Sequence, residues 1–218
     1  MPRIIDVLLS ILALLVLFPL FIPIVIILLL TGEHKVFYLQ NRVGYKNKKF
    51  KIIKFATMLS NSANMGSGSL TLKNDPRVLP FGSFLRKTKI NELPQILNII
   101  IGDLSIVGPR PQMQVDFEKY SDDVQGKIYN VRPGLTGIGS IIFRDEESLI
   151  SLAAENENPH DFYKRVIAPY KGELEIWYHS HRSLFLDFQL IFMTAWAIVY
   201  PETRLYEKWF KDLPKRNF

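Results

Sequence analysis

The sequence predicts a helix-rich α/β protein in which an N-terminal membrane segment, residues 1–32, precedes one small domain, residues 33–218. Every residue from position 7 to position 30 is apolar or proline except Ser10. The rest of the 218-residue chain mixes apolar and charged residues as folded domains do, so neither a disordered protein nor a wholly water-soluble one is expected. A strand-like segment lies among helix-like ones, so both kinds of regular element are expected.

The apolar N-terminal segment has two interpretations. A cleaved signal peptide is disfavoured, because its apolar core usually spans roughly 7–15 residues and a small-residue cleavage site follows it. A spanning helix is long enough, but Pro19 and Pro23 should kink or break it, since each lacks an N–H and clashes with the preceding turn. A re-entrant helix that dips into one leaflet is therefore equally open. Basic flanks at Arg3 and from Lys35 onward agree with both ends being cytoplasmic.

Charge and cysteine content restrict the partners and the chemistry. The net charge is +6, and no acid interrupts a basic stretch that follows the apolar segment. Its cations are Lys35, Arg42, Lys46, Lys48, Lys49, Lys51 and Lys54. Such a stretch suits anionic lipid, whereas no nucleic-acid recognition motif accompanies it, so nucleic acid is not expected. The absence of cysteine excludes disulfides, thiolate catalysis and cysteine-based zinc sites.

Residues 184–200 form a second membrane candidate. The segment is mostly apolar but contains Asp187, Gln189 and Thr194, so it is marginal for a span. All three tryptophans of the chain, Trp177, Trp196 and Trp209, lie near it in sequence, and such side chains favour the headgroup level. An amphipathic interfacial helix and a core helix of the domain are equally supported.

The middle of the chain contains one strand, a polar loop and a turn. Residues 50–58 alternate in polarity and predict a strand, while residues 61–69 are small and polar and predict a loop. Residues 73–76 predict a turn, which Arg77 follows directly.

A helix start at residues 91–94 is the most informative segment. Asn91 is a good N-cap, Glu92 suits a first turn and Pro94 is tolerated there. Simple capping explains these residues, but a helix N-terminus also attracts phosphate, and the cations nearby are Arg86, Lys87 and Lys89.

Two rigid Gly/Pro corners follow, and each presents an arginine. Arg110 lies in the sequence GPRP and Arg132 in RPG. Arginine on a stiff turn suits bidentate recognition of phosphate, although a surface arginine beside a turn explains either one alone.

Seven short motifs in order resemble the bacterial sugar transferases, the monotopic phosphoglycosyl transferases that begin glycoconjugate assembly. They begin at Gln40 (QNRVG), Lys54 (KFATM), Lys73 (KNDPR), Leu85 (LRKT), Glu92 (ELPQ), Gly102 (GDLSIVGPRP) and Arg132 (RPGLTG). Each motif alone is weak. Together, at family-like spacing over nearly the whole chain, they identify the sequence as a member of this family.

The resemblance implies a membrane location and a two-step reaction. A re-entrant hairpin, broken where this sequence has Phe18-Pro19, would lie in the bacterial inner membrane, with a small catalytic domain and interfacial helices on the cytoplasmic face. In the family, an Asp-Glu pair acts with Mg²⁺: the Asp attacks the β-phosphate of a UDP-sugar and expels UMP. Polyprenol phosphate then takes the phosphosugar, as the first membrane step of exopolysaccharide, O-antigen or glycoprotein glycan assembly.

The same resemblance implies the binding partners. UDP-sugar and polyprenol phosphate would be the substrates, inner-membrane lipids would surround the anchor, and downstream glycosyltransferases would take the product. A homo-oligomer is compatible with this set.

The sequence departs from the family pattern where the chemistry occurs. Asn91 stands at the nucleophilic Asp, Lys89-Ile90 replaces Ser-Leu, Ala56 replaces an Arg, and Gly139-Ser140 replaces a Gln. A neutral carboxamide is a very poor nucleophile. Glu92 could attack instead, or water or the acceptor phosphate could attack directly. Alternatively, the chain is a non-catalytic membrane paralogue that binds nucleotide sugar or a partner protein, or Asn91 is an engineered or deamidated position.

An active transferase is the favoured interpretation, because the phosphate-binding residues are kept. Glu92 is the expected catalytic carboxylate and Mg²⁺ ligand, and Asn91 occupies the nucleophile position. The expected phosphate contacts are Arg86, Arg110, Arg132, Lys54 and Asp187. Pro19 and Pro23 mark the expected break in the membrane helix.

Overall fold

The computed structural model of the chain describes residues 1–66 and 68–218, and its regular elements are mostly helical. In chain order they are α1 (Arg3–Leu30), β1 (Phe37–Val43), β2 (Lys49–Phe55), α2 (Pro80–Lys87), α3 (Gln95–Ile101), β3 (Ser105–Val107), α4 (Gln114–Phe117), α5 (Asp122–Lys127), β4 (Gly134–Thr136), α6 (Ile138–Ile142), α7 (Glu146–Ala153), α8 (Pro159–Phe162), α9 (Ala168–His181), α10 (Leu184–Val199) and α11 (Leu205–Trp209). The predicted helix-rich α/β class is confirmed.

In the described part of the chain, four strands form two separate pairs. β1 and β2 are antiparallel, with register from Phe37 opposite Phe55 to Val43 opposite Lys49. The predicted strand at 50–58 is therefore present, but it ends at Phe55. β3 and β4 are parallel and come from the two Gly/Pro corners. The corners touch so closely that a Cβ on Gly134 would lie 2.1 Å from the Gly108 nitrogen, which explains the glycines.

The main core surrounds α9 and the helices that pack on it. Its largest fully buried side chains include Tyr129, Tyr163, Tyr178 and Leu174. Two smaller clusters pack β2 against neighbouring helices: Ile52 lies with Ile99 and Leu104, and Phe55 lies with residues of α1 and α2. β2 is therefore held from both sides, and this fixes the end of the strand that carries Lys54.

Helix α1 is continuous from Arg3 to Leu30 and includes both prolines, so the predicted break at Pro19 and Pro23 is absent. Among the described residues it is the one helix long and apolar enough to cross a membrane. The outward side chains of its apolar stretch are largely exposed, and Leu30 is 73% exposed. An apolar surface of this extent requires a membrane or another partner to cover it.

Both ends of α1 contact the domain. At the first end, Arg3 donates to the carbonyls of Ile99 and, at 2.8 Å, Ile100, which lie at the C-terminus of α3. Asp6 is buried and accepts hydrogen bonds from the Ser105 hydroxyl and the Ile106 N–H. At the other end, Ile24 and Leu28 pack in the cluster of Phe55 and Leu85.

Helix α10 has features of both structures predicted for residues 184–200, an interfacial helix and a core helix. One face lies in the main core through Leu186, Leu190, Met193 and Ala197. The outward face is also apolar, and its exposed side chains include Phe185, Phe188, Phe192 and Val199. The helix is thus a core element that also presents an apolar surface, as an interfacial helix does.

Arg77 organises the predicted loop at 61–69, of which residue 67 lies outside the described residues. Its guanidinium donates to the carbonyls of Ser62, Met65 and Gly68 at 2.8 Å and of Leu70 at 2.7 Å. Asp75, also buried, neutralises it at 2.6 Å. The KNDPR motif therefore has a structural function, because it ties a loop that contains the 3₁₀ turn Ser62–Asn64 to a buried charge pair.

Candidate active site

Glu92 lies in the 3₁₀ turn Ile90–Glu92 between α2 and α3, directly after Lys89, which has a left-handed backbone with φ of 60°. One carboxylate oxygen accepts a 2.7 Å hydrogen bond from Arg110, and the other lies 3.4 Å from the same guanidinium. The Lys54 ammonium is 3.8 Å away. Burial alone would raise the pKa of Glu92, but the charges of Arg110 and Lys54 outweigh burial and lower it. Glu92 is therefore a carboxylate at neutral pH.

The two cations that face Glu92 differ in character. Burial lowers the pKa of Lys54 to about 7, although Glu92 opposes the shift. Glu92 raises the pKa of Arg110, so this guanidinium keeps its charge. The Arg110 backbone is fixed as well, because its carbonyl accepts a 2.8 Å hydrogen bond from the Tyr129 hydroxyl. A rigid corner thus holds a permanent positive charge beside the carboxylate.

Further cations surround this pair. Partial desolvation lowers the pKa of Lys89, although its side chain is exposed, and the charges of Arg110, Arg144 and Arg86 lower it further. Arg42 donates to the Pro111 carbonyl at 3.2 Å, beside Arg110. The Glu92 cation cluster comprises Arg42, Lys54, Arg86, Lys89, Arg110 and Arg144. These six cations outnumber the nearby carboxylates Glu92, Asp116, Glu146 and Glu147. A surplus of positive charge around one carboxylate suits a diphosphate.

Asn91 does not cap a helix, so the prediction of an N-cap is wrong. It lies inside the 3₁₀ turn, and α3 begins at Gln95, without a side-chain cap. The helical backbone begins at Ile90 and continues through Leu93 and Pro94 into α3, so Glu92 lies in a first turn as predicted, and side-chain cations surround its carboxylate. Asn91 is 5% exposed, and its carbonyl oxygen has no hydrogen-bond partner among the described residues. A buried amide oxygen without a partner is costly unless a ligand binds it.

The oxygen ligands around Glu92 are too few to bind Mg²⁺ alone, so phosphate oxygens of the substrate would have to complete its coordination. No group of three or more His, Cys, Asp or Glu side chains that could hold a metal occurs in residues 1–66 and 68–218. Mg²⁺ sites in phosphate chemistry commonly use one or two carboxylates and complete the shell with water and substrate phosphates. The Glu92 carboxylate and the unpartnered Asn91 oxygen fit that pattern.

The structure brings together four of the residues predicted for the site, Glu92, Lys54, Arg110 and Arg86, with Asn91 adjacent in sequence. Arg86 reaches the Met58 sulfur at 3.8 Å and pairs with Glu147 at the same distance. The sequence feature that points to Lys89 as a site residue is its position in the basic LRKTK segment. Arg42 lies in the QNRVG motif and in the basic stretch, whereas Arg144 lies in no motif, and only the tertiary fold brings the two to the cluster.

Two residues that were predicted as phosphate contacts, Arg132 and Asp187, are not part of the Glu92 cation cluster. Arg132 donates to the Gly102 carbonyl at 3.0 Å and stacks over the Tyr45 ring, so it caps the end of α3. Asp187 is buried on α10, where it accepts a 2.7 Å hydrogen bond from Tyr178 and lies 2.9 Å from the Met1 amino group. Asp187 therefore already has two protein partners, and its role as a phosphate contact stays a prediction.

Glu175 is a buried acid behind the Arg110 corner that sequence reasoning missed. It lies on α9 against Gly139, where a Cβ would be 2.4 Å from its carboxyl oxygen. Neither carboxyl oxygen makes a regular hydrogen bond within the described residues. Burial raises the pKa of Glu175 to about 8, although Lys171 and the Arg110 backbone N–H oppose the shift. Gly139 therefore provides the room for a carboxyl that is mostly protonated at neutral pH.

This raised pKa predicts a pH-dependent stability. An unfolded Glu titrates near 4.5, so the folded chain binds an extra proton between about pH 4.5 and pH 8 and loses stability as the pH rises through that window. Glu175→Gln, which stays neutral, should melt like the parent near pH 5 and gain on the order of 3 kcal/mol over it by pH 8–9. Thermal melts across pH 5–9 measure this difference. Parallel curves for the two proteins would show that Glu175 is ionised in the fold, and Glu157→Gln is the exposed control.

Comparison with known proteins gives a consistent family. Residues 1–201 match the family model described as bacterial sugar transferase. The exopolysaccharide production protein ExoY of Sinorhizobium fredii is 39% identical over 68% of this chain and 72% of its own length. ExoY of Rhizobium meliloti is 32% identical over 88% of this chain and 83% of its own length.

A third relative is considerably longer. The UDP-N-acetylgalactosamine-undecaprenyl-phosphate N-acetylgalactosaminephosphotransferase of Aeromonas hydrophila is 31% identical over 89% of this chain. The chain spans only 42% of that protein's length.

Proposed function

The chain belongs to the bacterial sugar transferase family, and we propose that it transfers a sugar 1-phosphate from a UDP-sugar to polyprenol phosphate and releases UMP. The observation that carries this proposal is the Glu92 cation cluster, which can neutralise a diphosphate in a domain that also bears the long apolar helix α1. The Aeromonas relative is named for the same type of transfer, and the two ExoY proteins for exopolysaccharide production. Exopolysaccharide assembly is therefore the proposed pathway.

The cations would act on the substrate diphosphate. Arg110 uses two of its nitrogens for Glu92, which fixes the guanidinium plane and leaves other N–H groups for phosphate oxygens. Lys54, Lys89 and Arg86 add positive charge where negative charge develops on the leaving UMP. Mg²⁺, held by Glu92, the Asn91 oxygen and the diphosphate, would supply further charge neutralisation.

The residues of the 3₁₀ turn Ile90–Glu92 favour direct transfer, in which the acceptor phosphate attacks the UDP-sugar without a covalent enzyme intermediate. Asn91 is neutral, and Glu92 is a weak nucleophile because Arg110 holds its carboxylate and its pKa is lowered. An oxygen of the polyprenol phosphate would therefore attack the β-phosphorus of the UDP-sugar. The bond from that phosphorus to the bridging oxygen breaks, UMP leaves with the electron pair, and the product is a polyprenol diphosphate sugar.

The non-catalytic alternative rests on Asn91 alone. Loss of the family nucleophile would suit a binding protein, but a chain that only bound a partner would have no need for a partly buried Glu92 between Arg110 and Lys54. The assay that separates the two uses UDP-sugar with a labelled sugar, polyprenol phosphate and Mg²⁺. Label should enter the organic phase as an acid-labile lipid diphosphate. Tight binding of UDP-sugar without any lipid product would identify a binding protein.

We propose that α1 lies in one leaflet, in a re-entrant arrangement on the cytoplasmic face of the inner membrane. A spanning helix separates its ends by the roughly 30 Å hydrocarbon core. Here Asp6 near one end and Leu28 near the other both contact the same polar domain, which cannot lie on both sides of a membrane. The basic stretch that starts at Lys35 would then face anionic headgroups.

This topology predicts a labelling pattern. Pro2→Cys and Lys35→Cys place single thiols at exposed positions beside the two ends of α1 in a chain without cysteine. In intact cells, both should be protected from a membrane-impermeant maleimide, and both should react after permeabilisation. Reaction of one position in intact cells, with protection of the other, would establish a spanning helix.

A further inference from the structure

A cavity of about 230 Å³ lies between the end of α1, the end of β2 and the start of α2. Its walls are mainly apolar and include Leu28, Ala56, Met58, Leu79, Pro80 and Phe81. Glu33 and Lys35 also line it, but Ser60 binds both charged groups: its N–H and hydroxyl donate to Glu33, and Lys35 donates to its hydroxyl at 2.7 Å. An occupant would therefore meet hydrocarbon walls.

One wall of this cavity adjoins the Glu92 cation cluster. Ala56 is two residues beyond Lys54 in the chain. Met58 accepts a 3.8 Å contact from the Arg86 guanidinium. A ligand with an anionic head and an apolar tail could thus place its head among the cations and its tail in the cavity.

The opposite side of the cavity adjoins the proposed membrane surface. Leu28 is buried on the wall, while the next two residues of α1, Leu29 and Leu30, are exposed. Phe84, one turn after the α2 residues that line the cavity, is exposed as well. The cavity therefore lies between an apolar surface and a cationic site.

We infer that this cavity binds the phosphate-proximal isoprene units of the polyprenol phosphate acceptor, an assignment that rests on the proposed function. At about 230 Å³ it is smaller than the roughly 300–1,000 Å³ of sites that enclose drug-sized ligands, so it takes only the start of the chain. The remainder of the chain stays in the membrane. A uracil base fits less well, because its polar edge would face apolar walls.

Kinetics of matched Leu→Phe variants test this assignment. Leu79→Phe adds volume at the cavity wall, and Leu15→Phe makes the same change on the exposed face of α1. With farnesyl phosphate as acceptor, Leu79→Phe should raise the acceptor KM about tenfold and leave the UDP-sugar KM unchanged. Leu15→Phe should alter neither. Ala56→Leu, checked for folding by its melt, should reproduce the effect of Leu79→Phe.

Two kinetic outcomes would overturn the inference. A rise in the UDP-sugar KM alone would assign the cavity to the nucleotide sugar. Unchanged KM values for both substrates in both wall variants would show that substrate does not enter the cavity.

Photo-cross-linking separates this inference from the proposed function, because it needs no turnover. A farnesyl phosphate analogue with a diazirine on its first isoprene unit should label residues 56–58 or 79–82, and unlabelled farnesyl phosphate should compete. Adducts confined to other segments, or equal competition by phosphatidic acid, would overturn the assignment. A parent protein that cross-links as expected but never releases UMP would contradict the proposed function alone.

Discussion

Glu92→Gln should reduce UMP release by about 10²–10³-fold or more. The substitution keeps the shape of the side chain but removes the charge that orients Arg110 at 2.7 Å and faces Lys54 at 3.8 Å. It also removes the one carboxylate proposed to hold Mg²⁺. Initial rates with UDP-sugar and polyprenol phosphate, measured on purified protein in detergent or nanodiscs, give the effect.

The control for this substitution is Glu118→Gln, which changes an exposed carboxylate in the same way and should keep the parent rate. Circular dichroism and a melt must show that Glu92→Gln is folded, since it leaves two partly buried cations without their carboxylate. A folded Glu92→Gln protein with parental UMP release would mean that this turn is not the active site.

Arg77→Ala should destabilise the chain by about 3–5 kcal/mol. The substitution leaves buried Asp75 without its cation and removes the donors to the carbonyls of Ser62, Met65, Gly68 and Leu70. Each carbonyl then needs another donor or water, and residues around 61–70 should exchange amide hydrogens faster. Denaturant unfolding and hydrogen exchange measure the two effects.

The matched control is Arg165→Ala. Arg165 pairs with Glu157 at 2.7 Å but is largely exposed, so its removal should cost at most about 1 kcal/mol. Equal losses in the two variants would show that the carbonyl contacts of Arg77 contribute little to stability.

The elements with strong local patterns could be predicted from sequence. The apolar run became α1, the alternating run at 50–58 became most of β2, and the segment at 184–200 became α10. The parallel pairing of β3 with β4 could not be predicted, because each strand has three residues and is defined by backbone contacts between two glycine corners. The break at Pro19 and Pro23 was not found, because both prolines lie within a continuous helix, and the N-cap at Asn91 was wrong, because the left-handed Lys89 already precedes the first helical residue.

The residues of the candidate site also divide into those that local sequence patterns predict and those that depend on tertiary contacts. Glu92, Lys54, Arg86 and Arg110 lie in recognisable motifs, and the fold assembles them. Arg132 also lies in a motif, but it stacks on Tyr45 and caps α3. The motif fixes the turn, whereas the groups around the turn determine which partner the arginine side chain binds. The burial of Glu175 behind Arg110 depends on the fit of α9 against Gly139, which no local pattern reveals.

The covalent route can be tested by restoring the carboxylate. Asn91→Asp places an anionic nucleophile beside Glu92 and should form a phosphosugar adduct with UDP-sugar in the absence of acceptor. Intact mass would detect the adduct, which the parent should lack at Asn91. An adduct on the parent that maps to Glu92 would contradict direct transfer and support Glu92 as the nucleophile.

UMP release by the parent protein, measured with and without polyprenol phosphate, tests the central claim most directly. Direct transfer predicts Mg²⁺-dependent UMP release only when the acceptor is present, with one UMP formed for each polyprenol diphosphate sugar. The absence of UMP release with acceptor, Mg²⁺ and a panel of UDP-sugars, from a folded protein that binds UDP-sugar, would contradict the claim that this chain is a transferase.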